Sequence, residues 1–223
     1  MLWEIRASAF IRRDLPLPQT TGDERTFWDS IRVVENAPLY YGESHLMAVD
    51  PLVYTPMLED VFPGVLWSFD AHHDLGYSKD AMKQVIKGDV DCGRWLLWYA
   101  IHLQPEIHII YPRWHTKALE MDTMYDADLL DAMMIEIERE VMPMTGEALP
   151  VFDAIFVCRS GAWVPSWCDD AFFAFLDAAP TRNRTKVGTW LYDLKRREFD
   201  YDNAVSLATS FEQTAQQAST API

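Results

Sequence analysis

The sequence predicts an α/β fold, with three layers (αβα) around a mostly parallel sheet, and three observations lead to it. Short apolar runs of strand-like composition alternate along the chain with segments of helical character. Parallel strands need crossover connections, and helical crossovers cover both faces of the sheet. The chain has 223 residues, 49% of them apolar, which is enough for one substantial core. We therefore expect one α/β domain over residues 1–212 and a polar tail over 213–223.

The first strands differ in how clearly the sequence marks them. Trp3–Ile11 has β-like composition, and Ile31–Val34 fits a short strand after a turn-rich stretch. Val65–Phe69 is the clearest strand, because it is an apolar run that follows the Pro63-Gly64 turn signal. These segments predict that the sheet begins in the first third of the chain.

The remaining elements continue the alternation of strands and helices. They are a helix over Asp91–Leu103, a strand over Ile107–Tyr111, a helix over Asp126–Val141, a strand over Phe152–Cys158 and a helix from Ser166 through Leu176. Asp91 is the expected N-cap of the first helix, and Ser166-Trp-Cys-Asp169 has the pattern of a capping box. Apolar residues at helical spacing support the Asp126–Val141 helix.

The acidic composition excludes several classes of partner. The formal net charge is −15, from 34 acidic against 19 basic residues, so a basic patch that grips phosphate groups is not expected. We therefore expect no nucleic-acid partner and no binding to anionic membranes. The sequence contains no long uncharged apolar stretch of the kind that spans a bilayer or forms a secretory signal. The oligomeric state stays open, with a homo-oligomer as one option.

Cysteine usage indicates a reducing compartment. Cys92, Cys158 and Cys168 are odd in number and lack the close pairing of a zinc knuckle or a redox motif. We expect free thiols, packed as small apolar side chains, and a cytoplasmic location.

The most informative segment follows the clearest strand, where the apolar run stops on two carboxylates and two imidazoles. In an extended chain, Asp70, His72 and Asp74 would point to one face and His73 to the other. Mixed carboxylate and imidazole donors suit Mn²⁺, Zn²⁺ or Fe²⁺, whereas Ca²⁺ and Mg²⁺ prefer oxygen donors alone. The segment therefore predicts a transition-metal site at the end of this strand.

The ends of two further strands also carry functional groups. In an open α/β sheet, ligands bind beyond the carboxyl ends of the strands, where loops converge. Arg113, Trp114 and His115 follow the second clear strand, and Arg159 and Ser160 follow the third. The arginines, the tryptophan and the serine are candidates for binding substrate, and His115 is a candidate for moving a proton. Each of them also fits an ordinary surface loop.

Phe69–Gly76 resembles the Asp-Ala-His-x-Asp metal motif of the arginase and deacetylase superfamily, and its flanks resemble a poorly characterised arginase-like branch of it. There a histidine like His45 precedes the motif, a helix start like Cys92–Leu96 follows it, and a strand end like Arg159-Ser160-Gly161 comes late. The similarity is scattered over residues 40–175. This resemblance implies a ureohydrolase-like fold.

The resemblance also implies a set of ligands. Asp70 would be the principal carboxylate ligand, His72 and Asp74 further ligands, and His45 the ligand from the preceding loop. The superfamily usually completes its site with a second Asp-x-Asp pair. The comparable stretch here, Arg6–Phe10, contains no acid. This difference favours one bound Mn or Zn ion over two, although the acids at 89, 91 and 122 are candidate substitutes for the second pair.

The activity that the resemblance implies is hydrolysis of a linear amide or guanidino C–N bond in a small-molecule substrate. A bound metal lowers the pKa of its water to roughly 7, which supplies a nucleophile at neutral pH. His73, which lies beside the ligands and out of phase with them, is one candidate general base, and His115 is the other. A buried structural role is an equally good interpretation of His73.

Two other functions remain open at this point. The missing acidic pair, the acidity and the aromatic content also fit a binding or inhibitory protein built on a hydrolase scaffold that has lost its activity. His72-His73-Asp74, with His45 upstream, also superficially resembles the His-Asp pattern of the all-helical metal phosphohydrolases. In that class the His-Asp pair ends a helix, whereas here it follows a predicted strand.

Overall fold

The structure is a computed structural model that describes residues 24–50, 64–112, 134–141, 149–160 and 166–188, together with the single positions 53, 115, 119, 122, 130, 164, 206, 209, 210 and 213. The predicted strand Trp3–Ile11 and almost all of the predicted tail lie outside the described residues. Arg113 and Trp114 also lie outside them.

In chain order, the described helices and strands are α1 (Glu24–Ser30), β1 (Arg32–Val33), β2 (Leu39–Gly42), β3 (Val65–Phe69), α2 (Ala81–Ile86), α3 (Trp95–His102), β4 (Glu106–Tyr111), β5 (Ile137–Val141), β6 (Val151–Phe152), β7 (Ile155–Cys158), α4 (Asp169–Ala178) and β8 (Arg184–Lys186). Short 3₁₀ helices cover His45–Val49 and Ser166–Cys168. Tertiary contacts divide the chain into two compact units, one formed by Met1–Ser44 with Val151–Ile223 and the other by His45–Pro150. The expectation of one domain over residues 1–212 stays a prediction.

The first unit contains two parallel sheets and a small aromatic core. The strands pair in the orders β1-β6 and β7-β2-β8, and every described pair is parallel. Trp28 of α1 and Leu176 of α4 pack with Leu39 of β2, all three buried. The Trp28 indole N–H donates to the Phe175 carbonyl oxygen at 2.7 Å, so the polar atom of the ring has a partner inside the core.

The second unit is built on a parallel three-stranded sheet in the order β3-β4-β5. The central strand β4 is almost completely buried, and Ile107, Ile109 and Tyr111 share one of its faces at 0% exposure. Helix α3 contributes a mostly buried apolar segment, and its Tyr99 hydroxyl donates to the Ala48 carbonyl oxygen at 2.6 Å. This bond ties α3 to the 3₁₀ helix that begins at His45.

The broad prediction of an α/β fold with parallel strands is confirmed in the described part of the chain. Val65–Phe69 forms β3 as predicted. The predicted strand Ile107–Tyr111 forms β4, which begins one residue earlier, at Glu106. The expected single sheet is instead three separate sheets among the described residues. Phe152–Cys158, predicted as one strand, is divided between β6 and β7, which belong to different sheets.

The helix predicted over Asp126–Val141 is wrong in its last part, because Ile137–Val141 forms strand β5. The segment Ile-Glu-Arg-Glu-Val has three consecutive charged residues between two apolar ones, so its own pattern does not indicate a strand. Met134, with φ of 58°, sits in the left-handed region just before this strand, where a helix cannot continue.

Both predicted helix caps are also wrong. Helix α3 begins at Trp95 with Arg94 at its N-cap, and Asp91 instead accepts a hydrogen bond from the Gly93 N–H. Helix α4 begins at Asp169 after the 3₁₀ turn Ser166–Cys168, and no side-chain hydrogen bond caps it. The three cysteines are free thiols, as expected. Among the described helices, none has the length and apolar character needed to cross a bilayer.

Candidate metal centre

Three of the residues predicted as metal ligands converge in the second unit. One donor atom from each of His45, Asp70 and Asp74 lies within 4.8 Å of the others. The His45 Nε2 atom is 3.2 Å from Asp70 Oδ2, and its Nδ1 atom is 3.0 Å from Asp74 Oδ2. All three side chains are mostly shielded from solvent. We refer to these three residues as the His45 cluster.

Each member of the His45 cluster is positioned by a different local structure. His45 is the first residue of the 3₁₀ helix that α3 holds through Ala48. Asp70 follows β3 directly, and its N–H donates to the Ile110 carbonyl oxygen at 3.2 Å, which extends the ladder to β4 by one step. Asp74 has φ of 50°, a left-handed conformation that costs roughly 1–2 kcal/mol for a residue with a Cβ. The surrounding contacts must therefore hold it there.

The structure does not bring His72 into the cluster. Its side chain is 65% exposed, and its Nδ1 atom lies 3.5 Å from Asp70 Oδ1. The same Asp70 oxygen accepts the His72 backbone N–H at 3.0 Å, so the chain turns at Asp70. The expectation that positions 70, 72 and 74 share a face is wrong, because it requires an extended backbone and β3 ends at Phe69.

Asp70 and His72 shift each other's pKa in the directions expected of an acid and a base in contact. Burial raises the pKa of Asp70, but the hydrogen bond from His72 and the charge of His45 outweigh burial, so the pKa lies below the usual 3.8. The hydrogen bond to Asp70 raises the pKa of His72 above the usual 6.5. Asp70 is therefore an anion at neutral pH, as a metal ligand must be.

Asp74 is held by two aromatic side chains that the sequence analysis did not identify. The Trp95 indole N–H donates to Asp74 Oδ2 at 2.8 Å, and the Asp74 backbone N–H donates to the Tyr77 hydroxyl oxygen at 3.2 Å. Tyr77 lies only three residues from Asp74, so a local contact between them could have been predicted. The bond from Trp95 joins residues 21 positions apart, and the local sequence carries no signal for it.

His73, a candidate general base, is completely buried. Its Nδ1 atom accepts the Leu75 backbone N–H at 2.9 Å, and its ring stacks on Tyr77 with the centroids 4.4 Å apart. Its Nε2 atom lies 3.6 Å from Asp122 Oδ1. Because both ring nitrogens face protein groups, His73 has the environment of a structural histidine.

The acids considered as a second ligand pair have other partners. Asp91 pairs with the Arg94 guanidinium at 2.7 Å, Asp89 lies 3.4 Å from it, and Gln84 accepts from it at 2.5 Å. We refer to these four residues as the Arg94 cluster. The hydrogen bond from Arg94 lowers the pKa of Asp91. Asp122 accepts hydrogen bonds from backbone and tyrosine groups and also lies outside the His45 cluster.

The candidate substrate-binding residues after β7 belong to the first unit. Arg159 is buried and pairs with Glu43 at 2.7 Å and with Asp169 at 3.3 Å. Ser160 has φ of 53°, and its N–H donates to the Cys158 sulfur at 3.2 Å. Strand β7 lies in a different sheet from β3 and β4, so the expectation that three strand ends share one sheet edge is wrong.

The loop after β4 is only partly described. The His115 N–H donates to the Pro112 carbonyl oxygen at 2.8 Å, and the His115 ring lies edge-on to Tyr111 with the centroids 6.1 Å apart. Arg113 and Trp114, the predicted substrate-binding residues of this loop, lie outside the described residues. The role of His115 in proton transfer stays a prediction.

The donors of the His45 cluster fit a divalent transition metal. One imidazole nitrogen and two carboxylates form the mixed set that Zn²⁺, Mn²⁺ and Fe²⁺ accept, and three protein ligands leave positions open for substrate. In the structure, His45 contacts a carboxylate through each ring nitrogen, an arrangement that also suits an imidazolium between two anions. A metal and a proton would therefore compete for His45.

Comparison with known proteins identified no relative of the chain. No protein-family model matches the chain, and no similar protein was found among the curated proteins or the solved structures.

Proposed function

We propose that the chain binds one divalent transition metal, Mn²⁺ or Zn²⁺, at the His45 cluster and is a metal-dependent hydrolase of a linear amide or guanidino C–N bond. The observation that carries the proposal is the convergence of His45, Asp70 and Asp74 within 4.8 Å of one another, although they come from separate positions in the sequence. Their resemblance to the ligands of the arginase and deacetylase superfamily supplies the proposed reaction. A ureohydrolase-like αβα fold is part of the same proposal.

One ion is favoured over two by what the neighbouring acids do. Asp89 and Asp91 are paired with Arg94, and Asp122 is hydrogen-bonded to His73 and Tyr111. In the part of the chain that the structure describes, the His45 cluster is the one group of three or more donors close enough to hold an ion.

The chain's own residues have distinct tasks in this proposal. His45, Asp70 and Asp74 would hold the ion, and Trp95 would fix the orientation of the Asp74 carboxylate from outside the ligand set. When bound, such an ion supplies Lewis acidity that activates water for attack on an electrophilic carbon. His72 presents an exposed imidazole beside Asp70, where it can contact a substrate or exchange a proton with solvent.

A protein that has kept this site without catalysis is the second candidate. It is favoured by the double contact of His45 with two carboxylates, which can link the 3₁₀ helix to the loop after β3 without any metal. Such a protein would act by binding a partner or a small ligand. The all-helical phosphohydrolase alternative has less support, because the His72-His73-Asp74 segment follows the parallel strand β3.

Metal content is the direct test. The full-length chain is purified, dialysed against chelator, reloaded separately with Zn²⁺ and Mn²⁺, and analysed for bound metal. We expect about one ion per chain in the natural protein and almost none in Asp70→Ala, because Asp70 is a proposed ligand. Asp91→Ala is the matched control, since it removes an aspartate of the same unit that pairs with Arg94 and should leave the metal content unchanged.

Activity is tested on the same samples with a panel of linear amides and guanidino compounds. Turnover that requires metal and is lost in Asp70→Ala would support the hydrolase. A silent panel with metal bound would favour the binding protein. A natural protein that takes up neither ion would overturn the metal site and the hydrolase together.

A further inference from the structure

Asp122 is the centre of a buried hydrogen-bond network in the second unit. Its Oδ2 atom accepts the His73 backbone N–H at 2.7 Å and the Tyr111 hydroxyl at 2.8 Å. Arg139 adds two bonds, from Nε to the Tyr111 hydroxyl oxygen at 3.0 Å and from Nη2 to the Asp122 backbone carbonyl oxygen. Asp122 and Tyr111 are both buried, so these bonds form in a poorly solvated environment and are costly to break.

The network joins strands β4 and β5 to the loop that carries Asp70 and Asp74. Tyr111 is the last residue of β4, Arg139 lies in β5, and His73 belongs to the loop after β3. Asp122 therefore connects the loop to the side chains of two neighbouring strands. The parallel backbone pairing of β4 with β3 and β5 holds Tyr111 and Arg139 in place.

The contact with His73 is made at the backbone, immediately before Asp74. The His73 ring adds a second attachment, because its Nδ1 atom accepts the Leu75 N–H at 2.9 Å while its Nε2 atom faces Asp122 Oδ1 at 3.6 Å. The N–H groups of His73 and Leu75, on either side of Asp74, are thus held, and the Asp74 N–H itself donates to Tyr77, so the left-handed conformation of Asp74 is fixed between them. A change at the His73 peptide would move the Asp74 carboxylate away from His45.

We propose that Asp122 is a positioning residue, which holds the His73 backbone N–H and thereby directs the Asp74 carboxylate toward His45. This inference rests on the proposed function, since it concerns the geometry with which the same site holds its ion. Outer groups that orient a ligand commonly change metal affinity by about 10- to 100-fold. An aspartate suits this task because one carboxylate oxygen accepts both bonds. An asparagine has only one oxygen, so its N–H₂ group would face either these two donors or the His73 Nε2 atom, which carries the ring proton because Nδ1 accepts a bond.

The test uses Co²⁺ as a spectroscopic probe of the full-length chain. We expect Asp122→Asn to bind Co²⁺ about 10- to 100-fold more weakly than the natural protein and to shift its visible absorption bands, because Asp74 is displaced. Tyr111→Phe removes one of the two bonds to Asp122 and should weaken binding by a smaller factor. It is the second variant to use if Asp122→Asn does not fold.

Ile109→Val is the matched control, because it removes one methylene from a buried position of β4 outside the network. It should lower stability and leave the Co²⁺ affinity and spectrum unchanged. A folded Asp122→Asn, or a folded Tyr111→Phe, with the natural spectrum and affinity would overturn the positioning role.

Hydrogen exchange of the metal-free proteins separates this inference from the proposed function. Asp122→Asn should speed exchange of the His73 amide at least about tenfold more than Ile109→Val does, because it replaces the charged acceptor of that N–H with a neutral amide and places an N–H₂ group against a neighbouring donor. If the natural protein binds no Co²⁺, Zn²⁺ or Mn²⁺, the proposed function fails, and the positioning role is then judged on exchange alone. Equal exchange in Asp122→Asn and Ile109→Val would overturn it.

Discussion

The His45 cluster and the Arg94 cluster lie in the same unit, and in each of them two aspartates face one basic side chain. They differ in the base and in solvent exposure. The Asp89 and Asp91 side chains of the Arg94 cluster are more than half exposed, whereas the carboxylates of the His45 cluster are at least four-fifths shielded. Arginine keeps its charge and cannot be a ligand, whereas histidine can lose a proton and bind a metal.

Acidic residues near one another in a sequence therefore do not by themselves identify a metal site. The Asp-x-Asp pair at 89 and 91 has the spacing sought for a second ligand pair, yet a permanent cation offsets half of its charge. The His45 cluster contains no permanent cation. When its histidine is neutral, nothing within the cluster offsets the charge of its two carboxylates, which therefore favour an added cation.

The largest expected difference between the two clusters is the change in Zn²⁺ affinity when the basic side chain of each is replaced. His45→Gln removes a proposed ligand and should weaken Zn²⁺ binding by more than about 100-fold, since even outer groups commonly change affinity by about 10- to 100-fold. Arg94→Gln should leave it unchanged. Zn²⁺ at 100 times its Kd should also stabilise the natural protein and Arg94→Gln by about 2.7 kcal/mol. Isothermal titration and urea unfolding measure both quantities, and Zn²⁺ binding by His45→Gln at natural affinity would contradict the contrast.

Two glycines, one near each cluster, give a second comparison. Gly76 (φ 92°) lies two residues after Asp74 of the His45 cluster, and Gly88 (φ 83°) lies directly before Asp89 of the Arg94 cluster. Alanine is strained at both positions. A Cβ at position 76 would also overlap the Ala81 side chain, whereas position 88 has open space. Gly76→Ala should therefore destabilise the protein by about 1–3 kcal/mol more than Gly88→Ala.

Urea unfolding of both alanine variants measures this difference. Equal free energies of unfolding would mean that the close packing at Gly76 contributes nothing beyond its backbone conformation. A loss of Zn²⁺ affinity confined to Gly76→Ala would show in addition that the loop near Asp74 tolerates little displacement.

The smallest effect concerns pH and the Arg94 cluster. Hydrogen bonding from Arg94 lowers the folded-state pKa of Asp91 below the usual 3.8, so the pair stabilises the folded chain above that value. The contribution disappears as the pH falls through the folded-state pKa. Because the Asp91 side chain is exposed, the Asp91–Arg94 pair contributes only about 0.2–1 kcal/mol to the free energy of unfolding.

The measurement is the difference in unfolding free energy between the natural protein and Asp91→Asn from pH 6 downward. We expect a small, constant difference above about pH 5 that shrinks below it and also shrinks at high salt. A difference that grows as the pH falls would contradict the sign of this prediction.

The sequence predicted strands β3 and β4 better than the loops that carry the candidate site. Val65–Phe69 is a continuous apolar run after Pro63-Gly64, and both signals are local, so β3 was placed correctly. The side-chain directions beyond Phe69 were extrapolated from that strand. The turn at Asp70, formed by its contact with the His72 N–H, ended the alternation and left His72 exposed.

The convergence of His45 on Asp70 and Asp74 was expected from the resemblance, whereas the supporting contacts were not. Trp95 and Asp122 reach the site from a helix and from a position after β4, and each is a long way along the chain from its partner. Such pairs form when packing brings distant segments together. A single sequence has no period or spacing that records them.

Composition and short-range pattern were sufficient to predict strands β3 and β4, the free thiols, and the carboxylates and imidazole beside the end of β3. Which of these groups meet depends on tertiary packing. It turned His72 toward solvent, buried His73 against Asp122, and paired Asp91 with Arg94 and Arg159 with Glu43. The physical reason is that each charge takes the partner that backbone geometry and burial bring within reach.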